Sequence, residues 1–476
     1  MKILLVWPVP NPEISVLLKE LTDAGHEIVY WVGYHSVSHL TPKGAIFHDH
    51  YDAWDGKPAD ALKDASFPPP SLELIERLYR TESIVLSMMD KHYDTAPVNE
   101  RKHIYYSMLS YWTGVLDTVN PDAVVFAIVP HTVYNYILYE LARLRELPTP
   151  CFEDTYVGSH LLFYDDFWTG SKELRTELRR SSSANLHDLP VDLQTYFDRF
   201  SRTEAQPFYM AQQKAVGSGL GLLYHRSFIA LSGLLSGKTF VLTWRFLKRL
   251  FEDNLAREYG EVVSISKISE PYVYFPLNMQ PERSTSPQGD VFQDQILVAE
   301  TVAASLPKGW RLVIKEHPSQ WWLRGKTRYS SARYRGYYRR LARIPRTTLV
   351  PTFSNTFELT KGAQSVVVIT GTPGWEAIMR NIPTIVFGIP WYRDCPGVAQ
   401  VANVDECRTA LSKVESGGLK STPDGVISFL AALDAVSIRA FIHDQIGQSE
   451  NMSGAESFQN IALKLKSVLQ GVTQLR

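Results

Sequence analysis

Apolar runs and helical periodicity alternate from the first residues of the chain. Residues 3–6 are apolar, residues 14–24 repeat apolar positions with a helical period up to Gly25, and residues 28–32 are apolar again. Short apolar runs predict buried strands, and the period between them predicts an amphipathic helix that ends at the glycine. The chain is therefore expected to open with a βαβ unit. No G-x-G-x-x-G occupies its first turn, which excludes a dinucleotide fingerprint there.

The same alternation continues to about residue 152. The pattern predicts helix over 71–118 and 134–145, and strands over 123–129 and 148–152. Residues 34–70 are rich in Pro, His and Asp and are expected to form surface loops. Strands that alternate with helices are typical of a doubly wound parallel sheet.

A second α/β pattern begins at residue 272. It predicts strands over 272–277, 310–314, 348–351, 365–369 and 383–387, with helices over 290–305, 356–362 and 374–380. We therefore predict an α/β protein of two Rossmann-like lobes with an inter-lobe cleft. Ligands of such sheets bind beyond the carboxyl ends of the strands.

The predicted domain boundaries follow these two patterns. The first lobe covers 1–262 with a mostly helical insertion at about 171–260, the second lobe covers 263–440, and a helical tail covers 441–476. Within the insertion, residues 220–250 mix apolar side chains with five basic ones. A basic amphipathic helix can lie on anionic lipid, whereas a packed helix with a solvated basic edge has the same composition.

Composition narrows the classes of protein. The 476 residues are 45% hydrophobic and carry 49 basic against 50 acidic side chains, for a formal charge of −1. This excludes disorder of the bulk of the chain and a surface that coats nucleic acid throughout. The three cysteines form no C-x-x-C pair, and we expect buried thiols in a reducing compartment. The apolar start is short and broken by prolines, and no run of about 18 apolar residues occurs, so a cytoplasmic location is expected.

Three motifs lie at predicted strand ends of the second lobe. The first is T-G-T-P-G-W-E-A at 370–377, where small residues between a strand and a helix let backbone N–H groups approach a phosphate. Thr370, Gly371 and Thr372 would cradle that phosphate, and Glu376, placed in the first helical turn, would accept from ribose hydroxyls. A capped tight turn is the structural alternative.

The second motif is K-E-H-P at 315–318, and the third is N-M-Q-P-E at 278–282. Lys315 or His317 at a strand end can donate to a phosphate or stabilise a departing nucleotide. Gln280 and Glu282 suit the hydroxyl groups of a sugar. Loop capping by the same amide and carboxylate groups is the alternative that the sequence leaves open.

The first lobe offers adjacent carboxylates at a strand end. Glu153 and Asp154 follow the run 148–152, and either could act as a base or a nucleophile, whereas a helix-capping aspartate is the alternative. His131 ends the preceding strand and is a candidate for acceptor binding. No D-x-D pair stands at a convincing strand end.

A basic segment follows the K-E-H-P motif. Between His317 and Glu358 no acidic residue occurs, while nine arginines and lysines, Arg339 and Arg340 among them, alternate with tyrosines. Such a field could hold an anionic acceptor, lipid-linked or glycan, and the tyrosines could stack on sugar rings. RNA is the competing ligand, but no nucleic-acid motif accompanies the segment.

Taken together, the three motifs of residues 274–377 resemble the capsule polysaccharide biosynthesis family, which includes β-Kdo transferases. The resemblance is good over 270–395 and weak in the first lobe, where Thr155 stands at a position that the family's acidic motif gives to glycine. It implies a metal-independent GT-B glycosyltransferase of bacterial surface polysaccharide synthesis, with the nucleotide sugar in the second lobe and a glycan or glycolipid acceptor in the first.

Residue roles follow from this resemblance. It implies a CMP-activated keto acid such as Kdo as the donor, and no further cofactor. His317 would bind the CMP phosphate with Lys315 nearby, and Asp154, or Glu153 beside it, would be the catalytic carboxylate. Two alternatives remain open at this point: a UDP- or NDP-sugar transferase or epimerase of the same architecture, and a non-catalytic polysaccharide assembly or export factor.

Overall fold

The computed structural model describes residues 1–181, 184–202, 254–265, 268–281, 285–322, 329–443 and 452–475. It contains two separate parallel sheets with helices packed against them. The predicted α/β class with two Rossmann-like lobes is confirmed. The domain boundaries stay predictions.

The first sheet has the order β3-β2-β1-β4 and is parallel throughout. Its strands are β1 (Lys2–Val6), β2 (Glu27–Gly33), β3 (Ile46–Asp49) and β4 (Ala123–Phe126). Four of the five β1 residues are fully apolar and buried, as a central parallel strand requires. A further strand, β5 (Cys151–Asp154), follows β4 in space, since Val129 N–H donates to the carbonyl of Phe152.

Helices of the first lobe connect and cover these strands. They are α1 (Ile14–Asp23), α2 (His50–Trp54), α3 (Leu72–Arg77), α4 (Tyr79–Met88), α5 (Val98–Val119), α6 (Val133–Leu144), α7 (Lys172–Arg180) and α8 (Val191–Arg202). The predicted helical stretch over 71–118 consists of the three helices α3, α4 and α5. The prediction of loops throughout 34–70 is wrong in part, because β3 and α2 form there: four residues of β3 are too few to show a strand period.

The second sheet has the order β12-β11-β10-β7-β8-β9, again all parallel. Its strands are β7 (Tyr272–Pro276), β8 (Arg311–Lys315), β9 (Thr347–Val350), β10 (Ser365–Val368), β11 (Thr384–Val386) and β12 (Val398–Gln400). Its helices are α9 (Leu255–Val262), α10 (Gln295–Ser305), α11 (Ser319–Trp322), α12 (Tyr337–Arg343), α13 (Thr356–Lys361), α14 (Thr372–Met379), α15 (Val404–Glu415) and α16 (Pro423–Val436).

After α16 the chain returns to the first lobe. Strand β13 (Ile438–Arg439) pairs antiparallel with β6 (His160–Tyr164), which in turn pairs antiparallel with β5. The last helix, α17 (Gly454–Leu475), packs against α1, with Lys466 paired to Glu20. Residues 454–475 are therefore helical and pack against the first lobe, and the predicted bounds of the tail stay a prediction.

Polar contacts join the two lobes. Arg80 of α4 pairs with Asp290 of the loop that follows β7. Arg175 of α7 pairs with Asp394, and Trp375 of α14 donates to the hydroxyl of Tyr196 on α8. These contacts define the junction between the two lobes, where the inter-lobe cleft is predicted.

The helical insertion is described only in part. Helices α7, α8 and α9 agree with the helical prediction, whereas the basic stretch 220–250 lies outside the described residues. Among the described helices, none combines the length and the apolar character that a bilayer crossing requires. Lipid contact by the basic stretch stays a prediction.

Two histidines are buried without charge at the β2–β3 side of the first lobe. The His48 Nε2 donates to the carbonyl oxygen of Lys57 at 3.0 Å, so its Nδ1 accepts from the Tyr30 hydroxyl at 2.8 Å. His50 Nδ1 lies 2.7 Å from the Tyr134 hydroxyl. Burial lowers the pKa of each histidine from 6.5 to about 4.

Acidification should therefore destabilise the protein. The unfolded chain protonates these histidines below pH 6.5, whereas the folded one resists protonation down to about pH 4, so stability falls as the pH falls through this window. We expect a loss of about 2 kcal/mol for each histidine between about pH 7 and 5. Urea unfolding at both pH values measures it. The double variant His48→Gln/His50→Gln should lose this part of the pH dependence, and exposed His103→Gln should keep it; an unchanged dependence in the double variant would contradict the assignment.

Candidate functional site

The strand order of the second sheet brings the three sequence motifs together. Strands β10, β7 and β8 are neighbours in this order and run parallel, so their carboxyl ends share one edge. Thr370 follows β10, Asn278 follows β7 and His317 follows β8. The first two loops touch: a Cβ added to Gly371 would lie 3.3 Å from the Asn278 side-chain nitrogen. The edge therefore gathers the turn 370–372, the 278–281 loop and the His-Pro turn.

The turn 370–372 leads directly into α14. Gly371 precedes the helix, Thr372 begins it, and Pro373 occupies its first turn, where the missing N–H costs no hydrogen bond. The N–H groups of a first turn point out of the helix and favour an anion. Thr370, Gly371 and Thr372 are thus placed as a phosphate cradle requires, and the cradle itself stays a prediction.

Glu376 lies in the second turn of α14, so its placement in the first turn was wrong. The helix begins two residues earlier than its apolar pattern indicates, since Thr372 and Pro373 carry no apolar signal but fit a first turn. Arg380 pairs with the Glu376 carboxylate at 3.3 Å. Burial raises the pKa of Glu376, and Arg380 opposes that rise. A contact between Glu376 and a ribose stays a prediction.

His317 is oriented by its own turn. The backbone N–H of Ser319 donates to His317 Nδ1 at 3.2 Å, so the proton of the neutral ring lies on Nε2. The pKa of His317 is lowered, and burial is the largest cause. The cations Lys315 and Arg333 add to this decrease, whereas the carboxylate of Glu316 opposes it. A neutral imidazole with its Nε2–H as a donor suits a phosphate oxygen at the sheet edge.

The turn rests on a buried ion pair that sequence reasoning missed. Arg333 Nε donates to the Glu316 carboxylate at 2.9 Å, and both side chains are fully buried. The same carboxylate accepts from the Tyr338 hydroxyl at 2.6 Å and from His317 N–H at 2.6 Å. Arg333 also donates to the Asn278 carbonyl at 2.9 Å. One guanidinium therefore fixes the loops after β7 and β8 relative to each other.

Gln280 and Lys315 are held by internal bonds. Gln280 accepts from Arg333 and donates to the carbonyl oxygen of Gln293 at 2.6 Å. The Lys315 ammonium donates to the Ser354 carbonyl at 2.7 Å and to the Thr356 hydroxyl. Both residues shape the edge, and their direct contact with a donor stays a prediction. Glu282 lies outside the described residues.

The sequence suggested that the basic segment forms one positive surface, but several of its arginines are buried or paired with acidic residues. Arg333 is buried, and Arg346 donates to three carbonyl groups at the end of α10. Arg339 pairs with Glu261 at 2.8 Å, and Arg340 pairs with Glu300 at 3.4 Å. The acidic partners come from helices distant in sequence, which a local charge count cannot reveal. Acceptor binding by Arg339 and Arg340 stays a prediction, and residues 323–328 of this segment are not described.

The two carboxylates of the first lobe face different partners. Glu153 and Asp154 are buried and adjacent on β5, and successive strand residues point to opposite faces. Glu153 accepts from Gln288 Nε2 of the second lobe at 3.5 Å. Asp154 instead bonds to His443 Nδ1 at 2.6 Å. His131 follows β4 at the same end of the sheet, with its Nδ1 3.0 Å from the Val129 carbonyl.

Gly388 links the lobe junction to the turn at Thr370. A Cβ at Gly388 would lie 2.6 Å from both the Gln288 carbonyl oxygen and the Thr370 methyl group. We expect Gly388→Ala to lower the free energy of unfolding by about 1–3 kcal/mol, because atoms this close must move apart. Urea unfolding measures this change. In the control Gly260→Ala in α9, the added Cβ meets nothing within 4 Å, so this variant should not lose stability. Equal stability of the two variants would show that the surroundings of Gly388 can accommodate a methyl group.

Metal ligands are not clustered in the part of the chain that the structure describes: no group of three His, Cys, Asp or Glu side chains is arranged to hold an ion. All three cysteines are buried, and none is in a disulfide. The prediction of metal independence stays untested by this observation.

Comparison with known proteins gives one family. Residues 244–418 match the family described as capsule polysaccharide biosynthesis protein. No curated protein sequence matches the chain significantly.

Solved structures offer weak overall likeness. The spinosyn rhamnosyltransferase SpnG is 12% identical with a TM-score of 0.24, and the alignment covers 92% of this chain and 97% of that one. Thermosulfurimonas dismutans KpsC, a β-Kdo 2,7 transferase, is 10% identical with a TM-score of 0.32, covering 71% and 88%. The Methanocaldococcus jannaschii UDP-GlcNAc 2-epimerase is 13% identical with a TM-score of 0.24, covering 87% and 92%. Scores this low do not choose between a transferase and an epimerase. The family match spans the sheet edge that carries the His-Pro turn and the turn 370–372, so the similarity of this chain to the capsule polysaccharide biosynthesis family covers residues 244–418.

Proposed function

We propose that this protein is a glycosyltransferase of bacterial surface polysaccharide synthesis. The donor is a nucleotide sugar, for which a CMP-linked keto acid such as Kdo is our first choice, and the acceptor is a glycan or glycolipid. The observation that carries the proposal is the convergence of His317 and the turn 370–372 on one edge of the second sheet. The family match supports the pathway, and the donor base and sugar rest on the resemblance of the motifs.

The chemistry of this edge suits a departing nucleotide. As the bond between the sugar and the phosphate breaks, negative charge grows on the phosphate oxygens. The Nε2–H of His317 and the first-turn N–H groups of α14 are donors fixed before the reaction, which is the arrangement that stabilises developing charge most effectively. Metal ions are not required by this scheme, so we expect full activity in EDTA.

Acceptor binding falls to the first lobe. The ends of β4 and β5 place His131, Glu153 and Asp154 at one end of the first sheet, and Glu153 contacts Gln288 of the second lobe. A buried carboxylate pair at that junction could support removal of the acceptor's proton. The proposal therefore divides donor and acceptor between the two lobes.

Incubation with a panel of CMP- and UDP-sugars tests the proposal. Donor hydrolysis, together with a raised unfolding temperature in the presence of one nucleotide, is the expected result, since a ligand that binds only the folded state stabilises it. Preference for UDP-sugars would replace the CMP donor by a UDP donor, and conversion of the sugar without transfer would indicate an epimerase. No response to any nucleotide sugar would contradict the proposal and favour a non-catalytic assembly factor.

A further inference from the structure

Asp154 and His443 form a carboxylate–imidazole pair that sequence reasoning did not connect. The Asp154 side chain is only 2% exposed, and its Oδ2 lies 2.6 Å from His443 Nδ1. Its other oxygen, Oδ1, accepts from the backbone N–H of Ile442 at 3.4 Å. The two residues are 289 positions apart, and the return of the chain to the first lobe after β13 brings them together.

The pair has a defined polarity. A carboxylate only accepts, so His443 Nδ1 carries the proton that it donates to Asp154. In the neutral ring this leaves a lone pair on Nε2. The His443 side chain is 48% exposed while the carboxylate behind it is buried. A buried acid that orients an accessible imidazole is the arrangement by which proteins build a general base.

The pair lies at the carboxyl end of β5, the strand end that adjoins the lobe junction. Asp154 ends β5, and its neighbour Glu153, whose side chain points to the opposite face of the strand, contacts Gln288 of the second lobe. Gln288 is in turn close to Gly388 and, through it, to Thr370 at the edge of the second sheet. The carboxyl end of β5 therefore faces the side of the molecule on which we place the donor.

The segment that carries His443 is held without its side chain. Ala440 N–H donates to the Ser159 carbonyl at 2.9 Å. Phe441 N–H donates to the Ser457 hydroxyl at 3.0 Å, and that hydroxyl donates back to the Phe441 carbonyl at 2.9 Å. These bonds attach residues 440 and 441 to the segment before β6 on one side and to α17 on the other. The imidazole is thus not needed to tie the segment down, and its substitution should leave the fold intact.

We propose that His443 is the general base of the transfer and that Asp154 is its positioning residue. This inference rests on the proposed function and deepens it. The acceptor hydroxyl proton passes to His443 Nε2 while the hydroxyl oxygen bonds to the anomeric carbon. The bond from that carbon to the donor phosphate breaks, and the nucleotide leaves with the electron pair. Asp154 stabilises the imidazolium that forms. Glu153, which faces Gln288, takes no proton in this scheme.

Imidazole rescue of a cavity variant tests the base. His443→Ala should lower the transfer rate by about 10²–10⁴-fold, the range for loss of a general base, with nucleotide binding unchanged. Added imidazoles should restore the rate at least about tenfold, and the restored rate should rise with the pKa of the imidazole, because a proton moves in the rate-limiting step. Asp154→Asn should also slow transfer while nucleotide binding persists. The control His103→Ala, an exposed histidine on α5, should transfer at the wild-type rate.

The outcomes separate the two proposals. Wild-type protein that neither binds nor uses a nucleotide sugar overturns the proposed function and the inference with it. Wild-type transfer combined with an His443→Ala variant within about threefold of it overturns the inference alone. A slow, folded His443→Ala variant that no imidazole rescues also overturns it, since a purely structural role predicts that result. Circular dichroism of each variant establishes that the fold is retained.

Discussion

Replacing Arg333 with methionine lowers the free energy of unfolding by about 3–5 kcal/mol, the usual cost of leaving a buried charge without its partner. Arg333 and Glu316 are both fully buried and 2.9 Å apart. Without the guanidinium, Glu316 keeps only the Tyr338 hydroxyl and the His317 N–H of the partners described above. Urea unfolding of the variant and the wild type measures the change.

The double variant Arg333→Met/Glu316→Leu tests whether the unpaired charge of Glu316 causes the loss of stability. With both charges removed, no buried ion remains unpaired, and we expect more than half of the lost stability to return, since apolar replacements of buried pairs are often neutral. The control Arg335→Met removes an arginine whose guanidinium lies 5.5 Å from the Tyr329 ring centre, and it should cost less than about 1 kcal/mol. A single Arg333→Met variant as stable as wild type would show that the pair does not hold the edge together.

Replacing His317 with alanine should slow transfer by about 10²–10³-fold with little loss of stability. The expected effect is that of removing one fixed donor to a developing negative charge, about 3–4 kcal/mol of transition-state stabilisation. His317 is a candidate for this role because Ser319 N–H binds its Nδ1 and leaves Nε2–H as the donor. Because the charge develops in the transition state, kcat should fall more than KM rises.

A glutamine at position 317 is the matched variant, since its side-chain amide also offers an N–H donor. We expect His317→Gln to retain more activity than His317→Ala in steady-state transfer assays. A change of less than about tenfold in His317→Ala would show that the residue only shapes its turn.

The sequence predicts the sheets well because parallel strands are short, apolar and fully buried. Strands β1, β7 and β10 appear within one residue or so of their apolar runs, and the strand ends locate the motifs correctly. Strand β12, with only three partly exposed residues at the sheet edge, carries no such pattern. The start of α14 was also missed, because the first turn of a helix is recognised by caps and proline more than by apolar spacing.

Side-chain partners were much harder to predict. Arg333 looked like one of many surface arginines, and only the fold shows that it enters the core to meet Glu316. The single acidic residue inside K-E-H-P was a signal that a basic partner lay elsewhere. Asp154 was recognised as a strand-end acid, whereas His443 was not, since its contact depends on the return of the chain after α16. Contacts over such separations leave no local pattern.

The proposed function requires that the carboxyl edge of the second sheet binds the phosphate of a nucleotide sugar. A crystal structure with CMP tests it most directly. We expect the phosphate within hydrogen-bond distance of His317 Nε2 and of the N–H groups of the turn 370–372, with the nucleoside over the loop after β7. A nucleotide bound elsewhere on the protein, or no nucleotide bound at concentrations that saturate transfer, would contradict it.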